Sequence, residues 1–219
     1  MPLSFFALRE AQVLAIVDYD AGNLRSVQRA CRKVGLTAEI VADPRLVESA
    51  ERIIFPGVGA ATSAVDTLKE RGLDKALLSA FQKGTPILGI CLGAQIILEH
   101  TEEDDRDCLG IVEGICTRFE PDDPTLKVPH MGWNGVEVTQ PHPLLEGVEN
   151  GDEFYFVHSY FPRPSHAGNV YAVTDYGTSF CSALGRKNLF ATQFHLEKSG
   201  RFGLSVLSRF AHWDGCLTT

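Results

Sequence analysis

The segment Pro86-Ile87-Leu88-Gly89-Ile90-Cys91-Leu92-Gly93-Ala94-Gln95 constrains this chain more than any other. It opens as a short apolar run with β-branched residues at Ile87 and Ile90, which reads as a buried strand ending near Ile90. Residues 92–100 suit a helix. Strand, sharp turn and helix put Cys91 on an elbow, and Gly-x-Cys-x-Gly is the thiol counterpart of the Gly-x-Ser-x-Gly nucleophile elbow. Such a turn strains the backbone at its apex, and glycines on either side remove Cβ atoms that would clash. The thiolate is the reactive form, and a free thiol with a pKa of about 8.5 is mostly protonated at neutral pH. A helix N-terminus carries roughly half a positive charge and favours an anion there. The Leu92 N–H would also point at an oxyanion formed on an attacked carbonyl. A small buried residue is the commoner fate of a cysteine. The elbow alone leaves both readings open, and a base decides between them.

Of the seven histidines, His195 in Ala191-Thr192-Gln193-Phe194-His195-Leu196-Glu197-Lys198-Ser199 is best placed. It closes a strand, where open α/β sheets keep their active sites. On an extended chain, positions i and i+2 point to one side. Glu197 is therefore expected to fix the imidazole tautomer and to stabilise its charged form. The expected roles are Cys91 as nucleophile, His195 as general acid and base, and Glu197 as orienter. Taken singly, His195 reads as a surface histidine and Glu197 as an exposed charge. Pro56-Gly57-Val58-Gly59 ends another strand, and its glycines allow a second oxyanion donor beside Leu92. A plain Pro-Gly turn is the alternative. The loop fits neither a phosphate-binding nor a dinucleotide fingerprint. His-x-Glu also occurs in zinc deaminases, but their downstream Pro-Cys-x-x-Cys is missing. No metal or cofactor is expected.

Residues 13–17, 38–41 and 52–55 read as strands, alternating with helices over 24–34, 60–71 and 73–82, which predicts a parallel sheet. Residues 101–107 form an acidic stretch, expected to be a solvated loop. Beyond it, segments 109–119, 135–139, 154–160, 170–173, 180–185 and 189–194 are strand-like with few helices between, so hairpins and a mixed sheet are expected. A last helix spans 199–212, with Phe202, Val206 and Phe210 on one face. The expected fold is α/β: an open doubly wound mixed sheet with helices on both faces. It forms a single domain over 13–212, preceded by an extension at 1–12. A chain of 219 residues can bury the core this needs.

The net charge is −8, with no basic stripe, so nucleic acid and anionic membranes are poor partners. None of the six cysteines forms a C-x-x-C pair, and the chain exceeds the small disulfide-framed class. Reduced thiols and a cytoplasmic location are expected. Residues 1–12 lack the features of a signal peptide, and no apolar run reaches the ~18 residues of a membrane span.

Gly89-Ile90-Cys91-Leu92-Gly93-Ala94-Gln95, Pro56-Gly57-Val58-Gly59 and Gln193-Phe194-His195-Leu196-Glu197-Lys198-Ser199 together resemble the class I (triad) glutamine amidotransferases. Three stretches narrow this to the glutaminase subunits of imidazole glycerol phosphate synthases: Asp18-Tyr19-Asp20-Ala21-Gly22-Asn23-Leu24, Val128-Pro129-His130-Met131-Gly132-Trp133-Asn134 and Tyr155-Phe156-Val157-His158-Ser159-Tyr160. The resemblance runs over about residues 13–210. It implies that Cys91 attacks the glutamine side-chain amide, that His195 protonates the departing ammonia, and that water hydrolyses the thioester. It places Gln95, Ser159 and Tyr160 at the glutamine pocket and the oxyanion strand at Gly57-Val58-Gly59. It puts Asn23 and Trp133 in segments facing a (β/α)₈ cyclase partner in a heterodimer. Trp133 also reads as a core residue. Leu196 stands where the family usually has proline, which puts the His195–Glu197 geometry in question. Ala94 and Ala191 stand where methionine and glycine are frequent. A glutaminase for another synthase, or another cysteine hydrolase on this fold, is the competing reading.

Overall fold

The computed structural model describes residues 14–217; the extension assigned to 1–12 lies outside them. The elements run β1 (Leu14–Val17), α1 (Leu24–Lys33), β2 (Ala38–Val41), α2 (Pro44–Glu48), β3 (Arg52–Gly57), α3 (Ala61–Arg71), α4 (Leu73–Lys83), β4 (Ile87–Cys91) and α5 (Leu92–Ile96). Then come β5 (His100–Thr101), β6 (Arg106–Asp107), β7 (Gly114–Arg118), β8 (His130–Val138), β9 (Asp152–His158) and β10 (Tyr160–Pro164). β11 (Val170–Asp175), β12 (Ser179–Arg186), β13 (Leu189–Thr192) and α6 (Gly200–Phe210) complete the order.

A nine-stranded sheet has the order β2-β1-β3-β4-β13-β12-β11-β8-β9. The first five strands are parallel; from β12 outward the pairing is antiparallel. β1, β4 and β13 are buried along their whole length, which is why their sequences are continuous apolar runs rather than alternating ones. One face of the sheet packs on apolar residues of α3, α4 and α5, and the other on those of α1 and α6. α1 buries Val27, Ala30 and Cys31 and turns its arginines outward, the amphipathic pattern of a helix covering a sheet. The open mixed sheet with helices on both faces is thus the architecture expected from the sequence.

Four features depart from the expectation. A second sheet of order β10-β7-β5-β6 flanks the first; two of its strands have two residues each, too short to leave a periodic pattern. The short helix α2 was not anticipated, although Pro44 starts it and the Asp43 side chain caps the Arg45 N–H at 2.9 Å. The helix after the elbow ends at Ile96 instead of running to residue 100. There the carbonyls of Ile96, Ile97 and Leu98 accept N–H groups of Leu109, Ile111, Val112 and Gly110, so the returning chain takes the bonds that would extend the helix. Residues 130–134, outside the expected strand, open the long strand β8.

Candidate active site

β3, β4 and β13 lie side by side, with Gly57 in register with Cys91 and Thr192 with Ile90. Their C-terminal ends bring together three motifs that lie far apart in the sequence. Cys91 ends β4 with φ 54° and ψ −105°, a conformation that a non-glycine residue adopts only under constraint. Its neighbouring glycines remove Cβ atoms that would clash, as expected. Neither has a positive φ. A Cβ on Gly93 would meet the Phe55 carbonyl oxygen at 1.9 Å, and one on Gly89 would meet the Ala191 Cβ at 2.8 Å. The strain sits on the cysteine, and the glycines let β3, β4 and α5 approach closely.

His195 and Glu197 do meet, but not because they alternate on a strand. β13 stops at Thr192, and residues Leu196–Lys198 form a single 3₁₀ turn. The turn folds the carboxylate back, so that His195 Nδ1 lies 2.7 Å from Glu197 Oε1, with both side chains buried. The His195 N–H donates to the Tyr155 carbonyl, and Ser199 Oγ donates to the His195 carbonyl at 2.6 Å while accepting the Tyr155 N–H. These bonds hold the backbone without the proline that Leu196 replaces. Asn23 Nδ2 donates to the same oxygen, Glu197 Oε1. Burial alone would depress the imidazole, but the neighbouring Cys91 and then Glu197 outweigh it and raise the His195 pKa to about 10. Its Nε2 is buried with no hydrogen-bond partner.

A cavity of about 280 Å³ opens over Cys91. Val58, Gly59, Leu92, Gln95, His158, Ser159 and Tyr160 line it, together with Glu103. Gly57 lies beneath, and the Tyr19 hydroxyl donates to the carbonyl of Pro56 at 2.8 Å. Gln95 Nε2 donates both to the Tyr160 carbonyl, at 2.8 Å, and to Gln193 Oε1, at 3.1 Å. That commits the amide nitrogen inward and leaves Gln95 Oε1 as the free acceptor. Glu103 belongs to the acidic stretch read as a solvated loop. Its Oε2 accepts the Ala61 N–H at 2.7 Å, at the start of α3. The capping fixes a carboxylate in the cavity wall, a placement that charge patterning does not reveal.

A second set of imidazoles borders the cavity. His158 Nδ1 lies 2.7 Å from the Tyr160 carbonyl, which can only accept, so His158 donates there. His158 Nε2 must then accept from His130 Nδ1 at 3.1 Å, and His130 Nε2 accepts from the Asn134 amide at 3.3 Å. Burial pushes His158 down to about 3 and His130 down to about 4. Both rings are neutral at physiological pH.

The model of the family "Glutamine amidotransferase class-I" matches residues 15–212. The chain belongs to the class-I glutamine amidotransferases. Within this amidotransferase family it is 52% identical over 203 residues to imidazole glycerol phosphate synthase subunit HisH of Desulfovibrio desulfuricans, covering 90% of this chain and 93% of that protein. It is 46% identical over 212 residues to the subunit of the same name from Dechloromonas aromatica, covering 93% and 97%. Among solved structures, PurLQS from Thermotoga maritima aligns with a TM-score of 0.70 at 18% identity over 91% of this chain and 97% of that one. A glutamine amidotransferase crystal structure aligns with a TM-score of 0.67 at 20% identity over 88% and 98%. These two likenesses speak to the amidotransferase fold.

Of the residues singled out in the sequence, Cys91, Leu92, Gln95, Val58, Ser159 and Tyr160 share the cavity wall, with His195 and Glu197 behind Cys91. Trp133 is not a core residue: it is 52% exposed on β8, edge-on to Tyr155. Asn23, expected at a partner surface, sends its amide to Glu197. Glu103 and Gln193 were not singled out by sequence reasoning. Among the described residues, no three His, Cys, Asp or Glu side chains group as a metal site, and no helix is long and apolar enough to cross a membrane.

Proposed function

We propose that this amidotransferase is the glutaminase subunit of an imidazole glycerol phosphate synthase, hydrolysing glutamine and passing ammonia to a (β/α)₈ cyclase subunit in a heterodimer. One observation carries the catalytic half of this reading: a strained cysteine at a strand end, beside a buried imidazole held 2.7 Å from a buried carboxylate. In the proposed reaction the Cys91 sulfur attacks the side-chain amide carbon. The N–H groups of Leu92 and of the Gly57-Val58 turn receive the oxyanion. His195, raised to about 10, is an imidazolium at neutral pH and gives its proton to the leaving ammonia. Water then attacks the thioester with His195 as base, and glutamate departs. Glutamine carries an α-ammonium group, which the Glu103 carboxylate and the free Gln95 Oε1 are suited to receive.

The partner half rests on the resemblance to subunits named HisH and on the exposed face of β8. Met131 and Trp133 are both exposed there, and Lys198 stands 5.4 Å over the Tyr155 ring beside the triad. Ammonia released into water would be protonated and lost, so an acceptor docked over this face gives the chemistry its use. The cyclase converts a phosphoribulosyl-formimino carboxamide ribotide into imidazole glycerol phosphate and an aminoimidazole carboxamide ribotide, in histidine biosynthesis.

The test is glutamine hydrolysis by the isolated chain and by the chain mixed with the cyclase and its nucleotide ligand. Low basal turnover that rises on mixing is expected. Cys91→Ala should abolish cyclase turnover supported by glutamine and spare turnover supported by added ammonium. Glutamine-supported turnover surviving in Cys91→Ala would overturn the assignment.

A further inference from the structure

Gln193 is wholly buried at the end of β13, two residues before His195, and the reaction as described gives it no part. Its side chain nonetheless spans the site. Gln193 Nε2 lies 3.7 Å from Cys91 Sγ in donor geometry, and Gln193 Oε1 accepts from Gln95 Nε2 at 3.1 Å. Its backbone N–H donates to the Ser182 carbonyl at 2.9 Å, which anchors the residue to β12. His195 also neighbours the Cys91 sulfur, so Gln193 is a second group upon it. We propose that Gln193 is a positioning residue of the glutaminase: its amide N–H holds the Cys91 sulfur, and its amide oxygen fixes the orientation of Gln95.

The chemistry follows from the two ends of one amide. A thiolate in a buried site needs donors, and an N–H aimed at it favours the charged form over the thiol. Gln95 has an amide that is nearly symmetric in shape. With Gln193 Oε1 and the Tyr160 carbonyl both acting as acceptors, only the orientation with nitrogen inward satisfies both. Gln95 Oε1 therefore faces the substrate as an acceptor. If Gln193 were lost, the sulfur would lose this donor and the Gln95 amide would keep one inward acceptor instead of two.

This inference rests on the glutaminase reading, and two substitutions separate its halves. Gln193→Glu keeps an oxygen for Gln95 and removes the donor to sulfur. Gln193→Met fills the space and removes both. The probe is iodoacetamide, with the rate of Cys91 carbamidomethylation followed by peptide mass spectrometry from pH 5 to 10. The titratable and charged groups around the sulfur, His195, Glu197, His158, Tyr19, Cys116 and Glu103, stay unaltered in both variants.

The midpoint of the Cys91 profile should move up by about one pH unit in both variants. In the complex with the cyclase, the KM for glutamine should rise roughly tenfold in Gln193→Met and stay near the parent value in Gln193→Glu. A residue that merely fills space would lower the thermal midpoint and leave the alkylation profile of the uncharged Gln193→Met in place. An unmoved profile in folded Gln193→Met overturns the inference. Because iodoacetamide needs no glutamine, that result differs from failure of the glutaminase reading, in which the parent complex would not hydrolyse glutamine at all.

Discussion

Two buried imidazole sites flank the cavity, and they are opposites. On the parallel side, His195 has a carboxylate at 2.7 Å and a thiol beside it, and its pKa rises to about 10. On the antiparallel side, His130 and His158 meet only each other, an amide and a carbonyl, and fall to about 4 and about 3. All three are almost fully shielded from solvent. Burial lowers all three; it prevails at His130 and His158, which have no ionised partner, and at His195 it is outweighed first by Cys91 and then by Glu197. The charged site is suited to moving a proton. The neutral one builds a wall, since His158 and Gln95 share the Tyr160 carbonyl as acceptor.

The sharpest way to break this contrast is Glu197→Gln, which gives His195 the kind of neutral partner that His158 has. Its pKa should fall, and an amide nitrogen facing Nδ1 favours the wrong tautomer. Glutamine turnover in the complex should drop by about 10⁴-fold, the scale of the equivalent change in a Ser-His-Asp triad. A loss under tenfold would mean that the carboxylate does not orient the ring.

The neutral site is tested by His158→Phe, which keeps a ring and removes both hydrogen bonds. Leaving the His130 Nδ1 donor without its partner should destabilise the fold by about 1–3 kcal/mol, read as a lower midpoint in chemical denaturation. The same site predicts how stability depends on acid. In the unfolded chain these histidines titrate near 6.5, while in the fold burial holds His130 near 4 and His142 and His158 near 3. Between those values the unfolded state binds protons that the folded state excludes. Their contribution is full above about pH 6.5 and is lost as pH falls toward 3. His195 has the reverse sign: raised to about 10, it stabilises fully below 6.5 and ceases to do so as pH rises through 10. Thermal midpoints measured across pH should fall on both sides, and His158→Phe should flatten the acid limb only.

The two sites also differ in how much of them the sequence discloses. The charged site lies where strands end in glycine-flanked or paired motifs, so Cys91, His195 and Glu197 stand out in the linear chain. Even there it is the 3₁₀ turn, not strand alternation, that brings Glu197 to His195. The parallel strands were legible because burial on both faces makes them continuous apolar runs. The neutral site and the second sheet were not legible. Their contacts join β7 to β10 and β8 to β9 across loops, and two-residue strands carry no period. Glu103 looked like one charge among many because its cavity position comes from capping α3, a contact 42 residues away in sequence. Gln193 sat inside a quoted motif, yet its role depends on the neighbouring strand β4.

The smallest expected effect concerns what tethers the carboxylate. Glu197 Oε1 accepts from both His195 Nδ1 and Asn23 Nδ2, and Asn23 sits at φ 75°, a conformation that asparagine and glycine tolerate. Asn23→Gly therefore removes the amide without straining the backbone. If Asn23 only faced the partner, the variant would weaken cyclase binding and leave turnover in the saturated complex unchanged. If it also steadies Glu197, kcat should fall by up to about tenfold at saturating cyclase, the worth of one hydrogen bond to a charged group. KM for glutamine should hold, because Asn23 is not among the residues lining the cavity. Titrating the cyclase to saturation before measuring kcat separates the two outcomes, and an unchanged kcat there would return Asn23 to the surface role read from its sequence alone.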